Sequence, residues 1–297
     1  SRTGIVVPAI CVFMNSPYRS TNPRRAADTV SAERPSERFC MRVTPRVWIG
    51  FAIWVGYLII IVSVTLLSGV PYPDIGTSAD ATWRGAVMDL AVAAVALVIV
   101  ATLLGWWRPA LFEQHRSHHK WPIFVPIIML AAAVLNIFST DWSQFDASFL
   151  LSLLALGVLV GFCEELMARG LVLTAFRAQL AEGWVWFLSS ALFGLMHLAN
   201  AILGAPLLSS LQQAGLAFAS GTAFYIVRRV TGSLIWAMLL HGLWDVSVFA
   251  VGHAPATAPF GAFLAPVVGI LSLAVVYWVI KGTRERTSVK PAAVEVG

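Results

Sequence analysis

The segment Gly161–Gly170, with the sequence GFCEELMARG, places Glu164, Glu165 and Arg169 in a run that is otherwise almost wholly apolar. Charged side chains cost several kcal/mol near the centre of a bilayer, so they usually face a protein interior and mark a functional site. Glu165 and Arg169 are four residues apart and share one face of an α-helix, from which Glu164 is turned away. The segment therefore predicts a membrane helix that carries a buried charged site.

Two further apolar runs carry one histidine each. Residues 193–197 read FGLMH and end at His197, and residues 241–245 read HGLWD, with His241 and Asp245 at the two ends. His241 and Asp245 are four residues apart, so they share a helix face and can act as a unit. The rest of the chain is expected to be the frame that brings the three runs together.

The composition indicates a multi-pass membrane protein whose first partner is the lipid bilayer. The 297 residues are 58% hydrophobic and only 12% charged, whereas a soluble domain is about a quarter charged. The net charge of +5 would suit nucleic acid, but the basic residues are scattered between apolar runs and form no basic face with interleaved aromatic residues. No nucleic acid partner is therefore predicted, and the oligomeric state is left open.

From Val47 onward, eight apolar runs approach the roughly 20 residues that a helix needs to cross a bilayer. The predicted fold is all-α, a polytopic membrane helix bundle with about eight transmembrane helices. The sixth run is the weakest candidate because it contains Ser209, Ser210, Gln212 and Gln213. The predicted spans are 47–68, 85–106, 121–139, 147–175, 184–202, 207–227, 233–250 and 260–280.

The connecting loops alternate in charge. Lys and Arg are concentrated in the loops on one side of the spans, and this asymmetry indicates the cytoplasmic side. Both termini are therefore predicted in the cytoplasm. The basic positions assigned to that side are Arg42, Arg46, Arg108, Arg116, Lys120, Arg177, Arg228, Arg229, Lys281, Arg284, Arg286 and Lys290.

The chain divides into three regions. Residues 1–45 are polar, rich in arginine and proline and without a sustained period, which is typical of disorder. Residues 1–40 are expected to be dispensable, because the sequence from Met41 looks like a natural start. The predicted regions are a disordered extension at 1–45, a transmembrane domain at 46–282 with its motifs in 160–250, and a cytoplasmic tail at 283–297.

The topology carries the polar runs to similar depth, since Glu164, His197 and His241 lie roughly 12 to 20 Å from the cytoplasmic face at the α-helical rise. A transporter built from inverted repeats would usually show matching broken helices in its two halves. Here these polar runs fall only in the second half. Their shared depth favours one common site.

A glutamate beside an imidazole in a mostly dry cavity can activate water as a general base. Arg169 can pair with Glu165 and leave Glu164 free to take the proton. Asp245 can set the orientation of His241, whose N–H can then stabilise an oxyanion.

EELMAR at 164–169, FGLMH and HGLWD resemble the motifs Glu-Glu-x-x-x-Arg, Phe-x-x-x-His and His-x-x-x-Asn/Asp of the CPBP family, the CAAX-protease and bacteriocin-processing membrane proteins also called Abi. Order and spacing agree, over about residues 120–280. The resemblance implies an intramembrane endopeptidase, in a family often labelled as metalloproteases. It would be similar to enzymes that remove a C-terminal tripeptide after prenylation. Its substrate would be a membrane-associated peptide or protein, lipidated or not, and the motif style suggests a bacterial plasma membrane.

Carried over by position, the resemblance implies that Glu164 activates the hydrolytic water with the assistance of His197. Glu165 and Arg169 would hold the first motif in place.

The same resemblance implies that His241 and residue 245 line the oxyanion side. Residue 245 is Asp here, where the eukaryotic enzymes have Asn. An ionised carboxylate would repel an oxyanion, so Asp245 is either protonated or orients His241 without donating.

No cofactor is favoured. Glu164, His197 and His241 could bind Zn²⁺ with water in a fourth position, but no HExxH motif is present and the three residues come from different helices. A metal-free mechanism is therefore preferred. Cys163 precedes two carboxylates, which do not favour a thiolate nucleophile, so a small core residue is the preferred interpretation.

Two other functions stay open. A non-catalytic scaffold or bacteriocin-immunity-type protein would keep these residues for packing, and Glu164→Gln would then alter partner binding alone. A proton-coupled carrier would use the carboxylates and would take up protons with its substrate in liposomes.

Overall fold

The computed structural model describes residues 10–11, 40–114 and 116–282, and most of these residues are helical. Two short strands, Ile10–Cys11 and Cys40–Met41, pair in antiparallel fashion, and single 3-10 turns lie at Tyr72–Asp74 and Trp142–Gln144. The helices of the described part are α1 Val47–Ser68, α2 Ala79–Leu104, α3 Trp107–Leu111, α4 Trp121–Phe138, α5 Ala147–Arg177, α6 Glu182–Ile202, α7 Leu207–Thr231, α8 Ile235–His253, α9 Phe260–Phe263 and α10 Ala265–Ile280.

Within the described ranges, six helices are long and apolar enough to cross a membrane: α1, α2, α4, α5, α6 and α8. Helix α10 is apolar but has only 16 residues, and α7 has 25 residues but is less apolar, as its serines and glutamines predicted. The polytopic helical bundle is thereby confirmed. The chain is an integral, multi-pass membrane protein.

The end of the predicted disordered extension is part of the folded domain. The backbone N–H groups of Arg42 and Val43 both donate to the carbonyl of Leu104 at the end of α2, at 3.1 and 3.2 Å. This attachment satisfies a helix-terminal carbonyl that would otherwise lack a partner. Apart from the two strands, the rest of the predicted extension and the tail at 283–297 lie outside the described residues.

Helices α5 and α8 approach each other through glycine. A Cβ on Gly161 would collide with the carbonyl oxygen of Met238 and would lie 3.1 Å from the backbone nitrogen of Gly242. A Cβ on Gly157 would lie 2.9 Å from the carbonyl oxygen of Gly242. Small residues let membrane helices approach to backbone contact. The three glycines thus bring the helix of the acidic pair against the helix of His241.

Helix α5 widens into a π-helical segment at Leu166–Val172, directly after the acidic pair. A π-helical segment leaves backbone groups outside the regular α-helical ladder and is frequent at functional sites. Arg228 of α7 donates from Nη1 to the carbonyl of Arg169 within this segment. The buried guanidinium of Arg228 therefore supports the backbone on which Arg169 is mounted.

Three arginines that the loop pattern assigns to the cytoplasmic side, Arg177, Arg228 and Arg229, are buried helix residues. Glu113 accepts from Arg177 at 2.9 Å and from Arg229 at 2.8 Å, and Glu182 lies 2.6 Å from Arg177. Burial by itself would raise the pKa of the Glu113 carboxyl, but the three guanidinium groups together hold this pKa well below its ordinary value. These charges tie α5, α6 and α7 to the segment that follows α3.

Candidate active site

A cavity of about 410 Å³ lies inside the bundle. Its wall is mostly apolar, and it includes four of the residues predicted from the motifs, Glu164, His197, His241 and Asp245. They come from α5, α6 and α8, so the predicted convergence of three separate helices is present. A largely apolar cavity with a few converging polar groups is the usual form of a ligand or active site.

Glu164 and Asp245 both face the same nitrogen of His241. The Nε2 atom lies 3.7 Å from Glu164 Oε2 and 3.9 Å from Asp245 Oδ1. The side chain of Glu164 is 16% exposed and that of Asp245 24%, whereas the His241 side chain is 6% exposed. These separations exceed direct hydrogen-bond length. The three groups therefore frame a small space at the cavity surface.

The other nitrogen of His241 is held by Glu165. Its Nδ1 lies 3.0 Å from Glu165 Oε1, and because an ionised carboxylate only accepts, the ring donates its Nδ1–H. The orientation of His241 was predicted to come from Asp245, but Asp245 is 3.9 Å away and on the Nε2 side. Glu165 occupies the orienting position because the glycine contact between α5 and α8 brings it into reach.

The predicted pairing of Glu165 with Arg169 is present. Arg169 Nη1 lies 2.9 Å from Glu165 Oε1, and both side chains are fully buried. The guanidinium carbon of Arg169 lies 3.7 Å from the centroid of the Phe193 ring, so a cation–π contact adds to the ion pair. A Cβ on Gly221 of α7 would collide with Arg169 Nη2. The pair does not line the cavity, and the absence of a side chain at Gly221 leaves room for the Arg169 guanidinium.

His197 has a defined hydrogen-bonding role. Its Nδ1 lies 2.9 Å from the carbonyl oxygen of Phe193, and since a carbonyl can only accept, Nδ1 carries the proton. In the neutral ring, Nε2 is therefore the proton-accepting atom. His197 lines the same cavity as Glu164, so it can accept a hydrogen bond from a molecule bound there.

Two aromatic rings fix the imidazoles. Phe193 lies between the two histidines, with ring-centroid distances of 5.3 Å to His197 and 5.7 Å to His241. Phe224 of α7 stacks on His241 at 4.5 Å with an interplanar angle of 22°. Phe193 belongs to a predicted motif. Phe224 was missed, because a phenylalanine in an apolar helix gives no sequence signal of such a contact.

Asp89 is a further carboxylate of the cavity wall, and it was not among the residues predicted from the motifs. It is 4% exposed, and the Thr65 hydroxyl donates to its Oδ2 at 2.6 Å. The sequence feature that could have identified Asp89 is the presence of an acidic residue inside an Ala/Val/Leu run. Cys163, also nearby in the core, directs its thiol to the carbonyl of Leu90 at 3.3 Å, in agreement with its interpretation as a core residue.

The preference for a metal-free mechanism stays a prediction. Among the described residues, no group of three or more His, Cys, Asp or Glu side chains is placed to hold a metal ion. The set considered for Zn²⁺ was Glu164, His197 and His241. The Nδ1 atoms of both histidines contact a carbonyl and Glu165, so Nε2 is the remaining ring nitrogen of each, and Nε2 of His241 lies 3.7 and 3.9 Å from two carboxylates.

Fold and cavity together define a multi-pass membrane protein in which Glu164, His197, His241 and Asp245 come from three helices to line one cavity. Residues 146–247, about a third of the chain, match the family model described as type II CAAX prenyl endopeptidase Rce1-like. The matched segment contains all three motifs and confirms the family resemblance there, over a narrower range than the 120–280 expected from the motifs. No curated protein matches the chain.

Proposed function

We propose that this chain is an intramembrane endopeptidase that hydrolyses a peptide bond of a membrane-associated peptide or protein with water activated by Glu164. The observation that carries the proposal is the position of Glu164 Oε2, 3.7 Å from His241 Nε2 in the wall of the cavity. The Rce1-like match over residues 146–247 supports CAAX-type protease activity in general. A lipidated peptide is the substrate class that the family description names.

In the first step, Glu164 acts as the general base. Its carboxylate removes a proton from water as the water oxygen forms a bond to the carbonyl carbon of the substrate. His197 accepts the second hydrogen bond of the water through Nε2, because its Nδ1–H is committed to the Phe193 carbonyl. Two acceptors on a single water orient a lone pair toward the carbonyl carbon.

The same step moves negative charge onto the carbonyl oxygen. His241 stabilises this oxyanion by donating from Nε2, while its Nδ1–H remains on Glu165 at 3.0 Å. A doubly protonated ring is required for both donations, and the buried carboxylate of Glu165 balances that charge. Phe224 and Phe193 hold the ring plane in place, so the donor needs little reorganisation during the reaction.

Collapse of the tetrahedral species breaks the C–N bond. Glu164 returns its proton to the leaving nitrogen, which departs as a free amine, and the carboxylate is regenerated. Asp245 acts in its protonated form and donates to the oxyanion beside His241. An ionised Asp245 would repel the oxyanion and compete for the Nε2–H, from which its Oδ1 is only 3.9 Å away.

The test is cleavage by the purified full-length chain in detergent. The substrates are a random decapeptide library and a farnesylated decapeptide ending in a CAAX sequence, each incubated with and without chelator. Glu164→Ala should lower the rate by about 100-fold or more, and the chelator should have no effect. Loss of activity with chelator would call for a metal in place of this mechanism.

The control variant is Asp74→Ala, which removes an exposed carboxylate from the turn between α1 and α2. Both variants are checked for folding by size-exclusion chromatography and by their unfolding temperature. Full activity of a folded Glu164→Ala variant would overturn the proposal.

A further inference from the structure

Three polar side chains from three elements form a hydrogen-bonded row in the cavity wall. Asn200 of α6 donates from Nδ2 to Gln213 Oε1 of α7 at 2.8 Å. Gln213 in turn donates from Nε2 to the hydroxyl of Tyr72 at 2.9 Å. All three residues line the same cavity as Glu164 and His197. We refer to Asn200 and Gln213 as the amide pair.

The amide pair lies close to the proposed catalytic groups. Asn200 is one turn beyond His197 on α6, and its backbone N–H donates to the carbonyl of His197 at 3.2 Å. A substrate whose reacting carbonyl approached Glu164 and His197 would therefore extend past the amide pair in one direction along the cavity.

The row uses only part of the hydrogen-bonding capacity of the two amides. Each side-chain amide has two N–H donors and a carbonyl oxygen with two lone pairs. The contacts between the side chains use one N–H of Asn200, and one N–H and one lone pair of Gln213. Each amide thus has a second N–H donor and at least one acceptor lone pair in addition to those in the row.

A peptide that enters an apolar cavity must replace the hydrogen bonds that its backbone made with water, since an unpaired buried amide costs about 1 to 3 kcal/mol. Side-chain amides carry the same donors and acceptors as a peptide backbone. Glu164 and His241 are committed to the water and the oxyanion in the proposed reaction. Another group must therefore receive the backbone beside the reacting bond.

We infer that Asn200 and Gln213 form a subsite that binds the peptide backbone of the substrate next to the scissile bond. The inference rests on the proposed function and adds to it a means of holding an extended peptide independent of its side chains. The sequence motifs assign no role to either residue.

In a purely structural role, the row would attach the turn between α1 and α2 to α6 and α7. That turn is already attached by another contact, because the backbone N–H of Tyr72 donates to the carbonyl of Leu203 at 2.8 Å. Removal of the Tyr72 hydroxyl therefore tests the structural role separately from substrate binding. Tyr72→Phe breaks the bond to Gln213 and leaves both amides in the cavity.

The experiment measures binding of a fluorescein-labelled, farnesylated CAAX decapeptide to the full chain carrying Glu164→Gln, so that no cleavage takes place. Gln213→Leu and Asn200→Leu should each raise the Kd about fivefold to tenfold, as expected for one or two lost hydrogen bonds. Gln212→Leu is the matched control, because Gln212 is the neighbouring residue, is exposed and does not line the cavity; it should leave the Kd unchanged. Tyr72→Phe should raise the Kd less than Gln213→Leu does.

A second peptide, N-methylated at the amide that follows the scissile bond, tests the contact itself. The losses caused by N-methylation and by Gln213→Leu should not add, because both remove the hydrogen bond that the substrate N–H would donate to the second lone pair of Gln213 Oε1. Additive losses, or equal effects of Tyr72→Phe and Gln213→Leu, would overturn the subsite while the proposed function stood. If the decapeptide failed to bind the Glu164→Gln protein and the wild-type chain cleaved no library peptide, the proposed function and the subsite would both fall.

Discussion

Glu165 Oε1 lies 3.0 Å from His241 Nδ1, although the two residues belong to different helices of the bundle. The same oxygen lies 2.9 Å from Arg169 Nη1. One carboxylate oxygen therefore joins the arginine of the first motif to the histidine of the third. This contact leaves Nε2 of His241 directed at Glu164 and Asp245, where the cavity begins.

The first prediction concerns the buried ion pair. Arg169→Met should lower the free energy of unfolding by about 3 to 5 kcal/mol, because it leaves the Glu165 carboxylate buried without its cation. The double variant Glu165→Gln/Arg169→Met should recover part of this loss, since it removes both charges. Unfolding in mixed micelles, followed by tryptophan fluorescence, provides the measurement.

The matched control for this pair is Arg84→Met. Arg84 and Asp80 have the same spacing of four residues and lie 3.3 Å apart, but their side chains are 51% and 75% exposed. Such a pair contributes about 0 to 1 kcal/mol. Equal losses in the free energy of unfolding for Arg84→Met and Arg169→Met would show that burial does not determine how much the ion pair contributes to stability.

Contacts within one helix and the convergence of the motif residues could be predicted from the sequence, whereas individual hydrogen bonds between helices could not. The spacing of four residues between Glu165 and Arg169 is enough to predict their ion pair, because helix geometry is regular. The bond from Glu165 to His241 depends on how closely two helices approach. That distance follows from Gly161 and Gly242, whose role as spacers becomes clear only once α5 and α8 are known to be neighbours.

The buried charges around Glu113 illustrate the same limit. In the sequence, Arg228 and Arg229 stand at the end of an apolar run and resemble loop cations. In the structure they are fully buried against Glu113. No local period connects residue 113 to residues 228 and 229, so only the packing of the bundle reveals the pairing.

The second prediction concerns Asp245, which lies 3.9 Å from His241 Nε2. Asp245→Asn should retain most of the peptidase activity, because the amide keeps a donor for the oxyanion. Asp245→Ala should lower kcat by about 100-fold, as expected for loss of one oxyanion donor. Initial rates with the farnesylated decapeptide distinguish the two variants. Loss of activity in Asp245→Asn would instead favour an ionised carboxylate at this position.

The third prediction concerns the close approach of α5 and α8. Gly161→Ala would press a methyl group against the Met238 carbonyl, and such overpacking costs about 1 to 3 kcal/mol. The resulting separation should also lengthen the Glu165–His241 contact and reduce the cleavage rate. Gly56→Ala on α1 is the control, since its added Cβ would meet no described atom within 4 Å. Unfolding temperature and cleavage rate are measured for both, and a silent Gly161→Ala would contradict the proposed spacer role.

The fourth prediction concerns the pH dependence of stability. The folded pKa of Glu113 is held below its ordinary value of about 4.5 by Arg177, Arg228 and Arg229, which outweigh the opposing effect of burial. A carboxyl with a depressed folded pKa contributes stability that is fully present above its unfolded pKa and is lost as the pH falls toward the folded pKa. The wild-type unfolding temperature should therefore drop as the pH is lowered below about 4.5.

Glu113→Gln should be less stable than the wild type at pH 7, and its unfolding temperature should decline less steeply in acid. Asp74→Asn, at an exposed site, is the control and should follow the wild-type curve. Parallel curves for the wild type and Glu113→Gln would mean that other carboxyl groups cause the acid loss.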